Sequence, residues 1–149
     1  MSTYPEYGMA DYHLAKYLHA EELVQDVDGE QLPGGLPAGF LGDLPAGPDV
    51  AVALVTAAED RTEDDVNPWL TIVVIVRSAP WDIAGLRRSA EGVFQRLHDR
   101  THYDLTAGQR VLVSRRISRG PEILDQNRRW QRADTYRLRL AAPTSTEGS

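Results

Sequence analysis

The stretch WLTIVVIVR, residues 69–77, decides the fold of this chain. Residues 70–76 are all apolar or β-branched, a composition that favours strands. The run shows no regular alternation of polar and apolar residues, which is typical of a strand buried on both faces. We therefore predict a central strand here, covered on both faces, against which the other elements pack.

The chain just before this strand predicts its hairpin partner. In residues 49–58, Val50, Val52 and Leu54 alternate with small alanines, as expected for a strand. The connection, residues 59–68 (EDRTEDDVNP), is longer than a simple hairpin needs. The predicted tip carries five acidic residues, which are Glu59, Asp60, Glu63, Asp64 and Asp65. Like charges make this tip resist contact with the same tip of another copy.

Farther upstream the sequence predicts a helix and then a long loop. Residues 10–26 (ADYHLAKYLHAEELVQD) place Ala10, Leu14 and Leu18 on one helical face. Residues 27–48 are rich in proline and glycine, so we expect no regular element there. The leucines of this loop predict that it lies against the surface of the protein.

Downstream of the central strand the sequence predicts a helix and two more strands. Asp82 is the expected N-cap of a second helix that runs to about Arg100. Residues 110–117 (RVLVSRRI) predict a third strand, and a Gly-Pro connection follows it. Residues 130–141 alternate leucine with arginine, which predicts a last strand with one face in water.

The order α-β-β-α-β-β predicts an α+β fold. Its sheet would be an antiparallel four-stranded sheet from two hairpins, with the helices packed on one face. A chain of 149 residues fits one domain, and we expect it to span residues 1–142. Residues 143–149 (PTSTEGS) are expected to form a disordered C-terminal tail.

The charges of the chain are divided between its two halves. Residues 1–76 hold two basic residues against fourteen acidic ones, and residues 77–140 hold fourteen arginines against seven acidic residues. The formal net charge is −6. One hypothesis is that copies meet acidic surface to basic surface, because complementary fields steer encounter and fix register. The alternative is that both signs lie mixed on one solvated surface.

The sequence contains no pattern that predicts an enzyme. The chain has no cysteine, which excludes disulfides, thiol catalysis and thiolate metal sites. It lacks the G-x-S-x-G nucleophile elbow, a phosphate-binding loop and a dinucleotide fingerprint. The N-terminus does not resemble a signal peptide, and residues 70–76 are too few to span a bilayer. We expect a soluble protein without cofactor or membrane, made in a cytoplasm.

Two places in the sequence have residue types that can bind a metal ion. His98 and His102 are four residues apart near the predicted end of the second helix, with Asp104 beyond them, but no zincin glutamate follows His98. The acidic residues between Asp60 and Asp65 lack the glycine and the final glutamate of an EF-hand loop. We therefore expect no metal, and a solvated loop at the hairpin tip.

Nucleic-acid binding is the remaining alternative from composition. The arginines that suggest it are Arg115, Arg116, Arg119, Arg128, Arg129, Arg132, Arg137 and Arg139. Against it, the sequence pI is about 5.1. The arginines also do not alternate in sequence with the aromatic residues of a stacking platform. We do not expect direct recognition of nucleic acid.

The order and spacing of four motifs resemble the tail terminator proteins (minor capsid, gpU-like) of long-tailed bacteriophages. The first helix, ADYHLAKYLHAEEL, is followed by DLPAGPDVAVALV, which is similar to the family's LP-x-x-PD entry into its first strand. The strand ending VVIVRS leads through Trp81 and Asp82 into the helix AGLRRSAEGVFQRLHDR. A Gly-Pro loop, SRGPEILDQNRRW, precedes the last strand, TYRLRLA. The resemblance covers residues 10–142.

The resemblance implies a structural role in the virion. Tail terminators form a ring, usually a hexamer, on the last ring of the tail tube protein, where they end polymerisation and meet the head–tail connector or stopper protein. DNA passes through the lumen without sequence recognition. The expected location is the head-proximal end of the tail, after assembly in the host cytoplasm. The alternative hypotheses are that the chain is a related head–tail completion protein, or that it is a small soluble binding domain acting as a monomer or dimer.

The charge division then suggests which residues face a neighbour. A closed ring requires two different complementary patches on each subunit. The candidate basic residues are Arg87, Arg88, Arg96, Arg115, Arg116, Arg119, Arg128 and Arg129. The candidate acidic residues are Asp60, Glu63, Asp64 and Asp65, which either meet the arginines of a neighbour or line the lumen.

Overall fold

A computed structural model describes residues 8–62 and 67–141. Within those ranges it contains two α-helices, α1 (Ala10–Ala20) and α2 (Ile83–Leu97). The strands of its sheet are β1 (Ala38–Leu41), β2 (Ala51–Asp60), β3 (Trp69–Pro80), β4 (Arg100–Asp104), β5 (Arg110–Ser118), β6 (Ile123–Leu124) and β7 (Arg129–Ala141). No helix in the described ranges is long and apolar enough to cross a membrane.

The sheet has the order β1-β2-β3-β7-β5-β4, with β6 beside the first residues of β7. Both predicted hairpin pairs, β2 with β3 and β5 with β7, are antiparallel neighbours, and β3 lies centrally between β2 and β7. The α+β class is confirmed. The prediction of an antiparallel four-stranded sheet is wrong, because the sheet is seven-stranded and β1 runs parallel to β2.

Strand β1 lies inside the segment predicted to be an irregular loop. The composition of β1 does not predict a strand, because contacts with distant residues rather than strand propensity hold β1 in place. Gly39 leaves room for residues 24–27, because a Cβ there would lie 2.7 Å from the Gln25 carbonyl oxygen and the Val24 side chain. The Gly39 N–H donates to Gln31 Oε1 at 2.7 Å, so this edge of the sheet is capped by a side chain.

Two helix ends differ from the prediction. Helix α1 ends at Ala20 rather than near residue 26, and Glu22 is left-handed with φ of 62°. Helix α2 ends at Leu97 because His98 is already extended, and the chain then turns through Asp99 into β4. Strand β4 buries Tyr103 alone, so its sequence carries no periodic signal.

Both helices pack on the same face of the sheet, as predicted. On β3, Leu70, Ile72, Val74 and Val76 are buried beneath them in one core that also contains Leu14, Leu18, Leu86, Ala90, Val93, Leu97, Tyr136, Leu138 and Leu140. Residues Thr71, Val73 and Ile75 point to the other face and are half-buried. The prediction that the strand is covered on both faces is therefore wrong. A run of β-branched residues suits the central position without a second layer above it.

Candidate assembly surfaces

Arg77, the last residue of the decisive stretch, holds the crossover between β1 and β2. Its guanidinium donates to the carbonyl oxygens of Pro45 at 2.8 Å, Pro48 at 2.6 Å and Asp49 at 2.8 Å. The residue is only 3% exposed, and burial lowers its pKa, although an arginine remains charged. Three charge-assisted bonds thus fix residues 45–49 over the end of the sheet.

Arg129 is a second clamp on the same crossover. It donates to the Ala46 carbonyl oxygen at 2.7 Å and contacts Asp49 Oδ1 at 3.0 Å. Its Nε donates to Asp125 Oδ2 at 2.9 Å, and the Asp125 carboxylate also accepts the backbone N–H groups of Asn127 and Arg129. These bonds hold the pKa of Asp125 below its usual range against the opposing effect of desolvation. The crossover and the turn before β7 therefore form one rigid end of the sheet.

A buried ionic network lies where β5, β6 and β7 meet. Arg132 binds Asp134 through two bonds of 2.9 and 2.8 Å, and both residues are almost completely buried. Asp134 also accepts the Gly120 N–H at 3.2 Å and lies 3.6 Å from Arg116. Because its lone pairs have donors on several sides, this carboxylate is well satisfied.

Glu122 continues the network to the surface. Arg87 binds it through two bonds of 2.9 and 2.7 Å, and Arg119 and Arg132 each lie 3.7 Å away. The Arg87 bond is the main reason why the pKa of Glu122 is lowered. The exposed surface around Glu122 thus holds more guanidinium than carboxylate groups.

The acidic surface lies at the opposite edge of the sheet. The segment of residues 21–31, here named the acidic edge, runs beside β1, as the Gln31 to Gly39 bond shows. Lys16 binds Asp26 at 2.8 Å and Asp28 at 3.2 Å. The Lys16 bond lowers the pKa of Asp26, and hydrogen bonds from the Tyr12 hydroxyl and then Lys16 lower the pKa of Asp28. Glu22 and Glu30 on the same segment are exposed to water, and they leave the edge acidic.

The basic edge comprises β5 and the turn after it, with Arg110, Arg115, Arg116 and Arg119. Four strand spacings separate β1 from β5 in the sheet order, so the two charged edges are about 19 Å apart. Asp99 and Asp104 pair with Arg115 and Arg110 and reduce the basic charge in part. The division of charge in the sequence therefore becomes a division across the sheet.

Much of this charge is nevertheless paired within the chain. The predicted contact residue Arg96 binds Glu21 at 2.8 Å, which joins the basic and acidic halves of the sequence. Arg129 does the same through Asp49 and is only 6% exposed. Arg87, Arg88, Arg119 and Arg128 are exposed at the end of the sheet where α2 begins.

Asp60 lies at the other end of the strands from this arginine group. Asp60 pairs with Trp69 across the β2–β3 hairpin, whereas Arg129 pairs with Pro80. Trp69 and Pro80 are eleven residue steps apart along β3, or about 36 Å. Bonds from the Thr62 hydroxyl and N–H lower the pKa of Asp60. Glu63, Asp64 and Asp65 lie outside the described residues.

The metal candidates are separated by the fold. His98 ends α2, stacks on Phe94 and accepts the Arg116 N–H at 3.2 Å, whereas His102 lies on β4. Among the described residues, no group of three His, Cys, Asp or Glu side chains is placed to hold a metal ion. His98 and His102 do not share a helical face, because α2 ends at Leu97, before both of them.

Aromatic rings and arginines do meet, which corrects the expectation from the sequence. The guanidinium groups of Arg137 and Arg139 lie 4.4 and 5.2 Å from the Trp69 ring, and that of Arg128 lies 5.5 Å from the Trp81 ring. The sequence conceals these pairs because their members are neighbours in space but far apart in the chain: 68 and 70 residues separate Trp69 from Arg137 and Arg139, and 47 residues separate Trp81 from Arg128. Trp81, which sequence reasoning used only as an entry to the helix, is 67% exposed.

Comparison with known proteins identifies the family. A family model described as bacteriophage tail terminator protein matches residues 17–141. This chain belongs to the bacteriophage tail terminator family. The resemblance read from the motifs is thereby confirmed, and so is a location in the phage virion tail.

A solved structure supports the fold of this tail terminator family member. A chain in a structure described as the virion of a native gene transfer agent particle is similar with a TM-score of 0.50 and 18% identity. The similarity covers 68% of this chain and 77% of that chain, and at this identity it shows the fold alone. Among curated proteins, none matches the sequence significantly. The family is one of structural virion proteins that associate with other tail components, not of enzymes.

Proposed function

We propose that this protein forms a closed ring, usually a hexamer in its family, that caps the tail tube. The ring ends polymerisation of the tube protein and joins the tube to the head–tail connector or stopper protein. DNA passes through its lumen without sequence recognition. The observation that carries the proposal is the family match over residues 17–141.

The two charged edges support a ring. Cyclic assemblies use heterologous contacts, in which one patch of a subunit meets a different patch of the next. The acidic and basic edges are on opposite sides of the sheet, so the basic edge of one copy can face the acidic edge of its neighbour. Opposite charges would raise the association rate and fix the orientation of the subunits.

The contact between copies is expected to use side chains rather than strand pairing. At the β1 edge the Gly39 N–H is already bound by Gln31. At the β4 edge His102 is left-handed with φ of 51°, and charged residues flank it. Kinks, charges and covered backbone groups are the usual means by which edge strands avoid pairing.

The hairpin tip has two possible places in the ring. Asp60, Glu63, Asp64 and Asp65 either contact arginines of the neighbour or line the lumen, where negative charge keeps DNA from adhering. The two placements predict different outcomes of the same substitution.

Light scattering and negative-stain microscopy of the purified protein test the ring. We expect the unmodified chain to give rings, and a strict monomer even with tube protein present would contradict the proposal. Changing Asp60, Asp64 and Asp65 together to lysine should abolish rings if the tip contacts a neighbour. If the tip lines the lumen, rings should persist and DNA passage should fail.

A control separates the position of the charge from its amount. The same change in net charge is made at Asp43, Glu91 and Glu147, which lie away from the tip in the sequence. This control should assemble as the unmodified chain does. Equal loss of rings in both variants would show that total charge, and not the tip, governs assembly.

A further inference from the structure

An apolar recess lies where β3 ends and β1 begins. Its lining includes loop and strand-end residues, which are Leu32, Pro33, Leu36, Pro48, Val50 and Ala79. Leu32 and Leu36 are 53% and 38% exposed. The volume of the recess is about 210 Å³, whereas small-molecule sites usually have about 300–1,000 Å³. The recess is therefore too small for a cofactor, and it suits one inserted apolar side chain.

Trp81 extends this recess into one apolar surface on the same subunit. Ala79 lines the recess and also a second hollow beside Arg88, and Trp81 follows Ala79 by two residues. The Trp81 side chain is 67% exposed, and its φ of 63° is a left-handed conformation that bulky residues rarely adopt. Glycine adopts this conformation without a Cβ penalty, so the turn itself does not require tryptophan. Strain of this kind is found preferentially at functional positions. The recess, the second hollow and Trp81 are here named the tryptophan face.

The tryptophan face is held in shape by bonds within the subunit. The Gln25 side-chain N–H groups donate to the carbonyl oxygens of Leu32 at 2.6 Å and Leu36 at 2.7 Å. The Gln25 side-chain oxygen accepts the Leu32 N–H at 3.0 Å. The Trp81 N–H donates to the Arg128 carbonyl oxygen at 2.8 Å. A surface that is organised before its partner arrives binds at a lower entropic cost.

Two carboxylates line the tryptophan face, and both are engaged within the subunit. Asp49 accepts a bond from Arg129 at 3.0 Å. Asp82, the N-cap of α2, accepts the Gly85 N–H at 2.9 Å. A partner with basic side chains would have to compete with these bonds.

Two arginines supply the remaining charge of the tryptophan face. Arg88 is exposed and lines the second hollow. The Arg128 guanidinium lies over the Trp81 ring at 5.5 Å. Within residues 8–62 and 67–141, neither guanidinium forms an ion pair. The face therefore favours a partner that brings carboxylates, since complementary charges steer encounter and fix register.

We propose that the tryptophan face binds a different virion protein, through a segment that places an apolar side chain in the recess and carboxylates beside Arg88 and Arg128. The inference rests on the proposed ring and names the surface that the ring presents to another chain. Trp81 follows β3, a central strand, so copies that meet through opposite edges of the sheet leave it uncovered. Two copies that met through this face would set arginine against arginine. Tryptophan and arginine are the residues most enriched among interface anchors.

Binding of variant rings to two purified probes tests the apolar part of the contact. The probes are tail tubes and the stopper protein of the same phage, and sedimentation at increasing ring concentration measures the binding. Trp81→Gly should still form rings, but it should bind at least one probe about thirtyfold more weakly. Leu36→Arg should have the same effect by blocking the recess. The matched control is Ile117→Ala, which removes an exposed apolar side chain from the outer face of β5 and should bind normally.

Substitution of the two arginines tests the charge of the partner. Arg88→Gln and Arg128→Asn should each weaken the same binding by about threefold to tenfold, and asparagine tolerates the left-handed φ of 67° at position 128. The loss should diminish at high salt, because salt screens exposed charges. The matched control is Gln95→Glu, an exposed position on α2 where the net charge changes by the same amount and binding should not change.

The outcomes separate this contact from the ring itself. Variant rings that bind both probes as the unmodified rings do would overturn the contact and leave the ring intact. Unmodified rings that bind neither probe would overturn it as well. Loss of rings in Trp81→Gly would also overturn it, because the tryptophan face would then join copies of this chain. An unmodified chain that forms no ring would remove the proposed function together with this contact.

Discussion

Replacing Arg77 by methionine is expected to lower the free energy of unfolding by about 3–5 kcal/mol. Each hydrogen bond to a charged group contributes about 1.5–3 kcal/mol, and Arg77 donates three to the carbonyl oxygens of Pro45, Pro48 and Asp49. The estimate is less than three full bonds because water can reach part of the released crossover. Urea unfolding followed by circular dichroism measures the change.

Two controls make the Arg77 result specific. Arg77→Lys should recover less than half of the loss, because one ammonium group cannot reach three carbonyl oxygens in the directions that the guanidinium serves. Arg88→Met, at an exposed position on α2, should change stability by no more than about 0.5 kcal/mol. If Arg77→Met unfolds at the same urea concentration as the unmodified chain, the clamp has no role in stability.

Removing the Asp134 carboxylate is expected to cost a similar amount, about 3–5 kcal/mol. Asp134→Ala removes the bidentate partner of the buried Arg132 and leaves only the Glu122 carboxylate at 3.7 Å, and breaking a buried ion pair by removing one partner is strongly destabilising. The Gly120 N–H also loses its acceptor. Thermal and urea unfolding of the purified variant measure the loss.

The double variant Arg132→Met with Asp134→Leu distinguishes a buried charge from a lost side chain. A buried ion pair can often be replaced by apolar residues at little cost, so this variant should lie within about 1–2 kcal/mol of the unmodified chain. The single and double changes together give the coupling energy of the pair. A double variant as unstable as the sum of both single changes would contradict the account of this network.

The sequence predicts those parts of the fold that depend on local pattern. The run of residues 70–76 predicts the central strand, and Asp82 predicts the start of α2, since each signal lies within a few neighbouring residues. The sequence does not predict β1, because this strand depends on a contact between Gly39 and Gln31 across a loop. The sequence does not predict β4 either, because its single buried residue, Tyr103, gives no hydrophobic periodicity.

The candidate surfaces are less predictable for a physical reason. Arg96 and Glu21 are 75 residues apart in the chain, and Arg129 and Asp49 are 80 apart, yet each pair is bonded. Counting charges along the sequence cannot show which of them cancel. Nor does the sequence show that Trp81 is strained and exposed, because both properties arise where β3, α2 and the turn before β7 meet.

Tail length in particles made without this protein tests the central claim most directly. Phage tails are produced from a genome in which this coding sequence is deleted, and their lengths are measured by negative-stain electron microscopy. We expect tails of uncontrolled length that do not join heads, with normal length restored when the unmodified chain is supplied in trans. Tails of normal, uniform length joined to heads in its absence would contradict the assignment of tail termination to this protein.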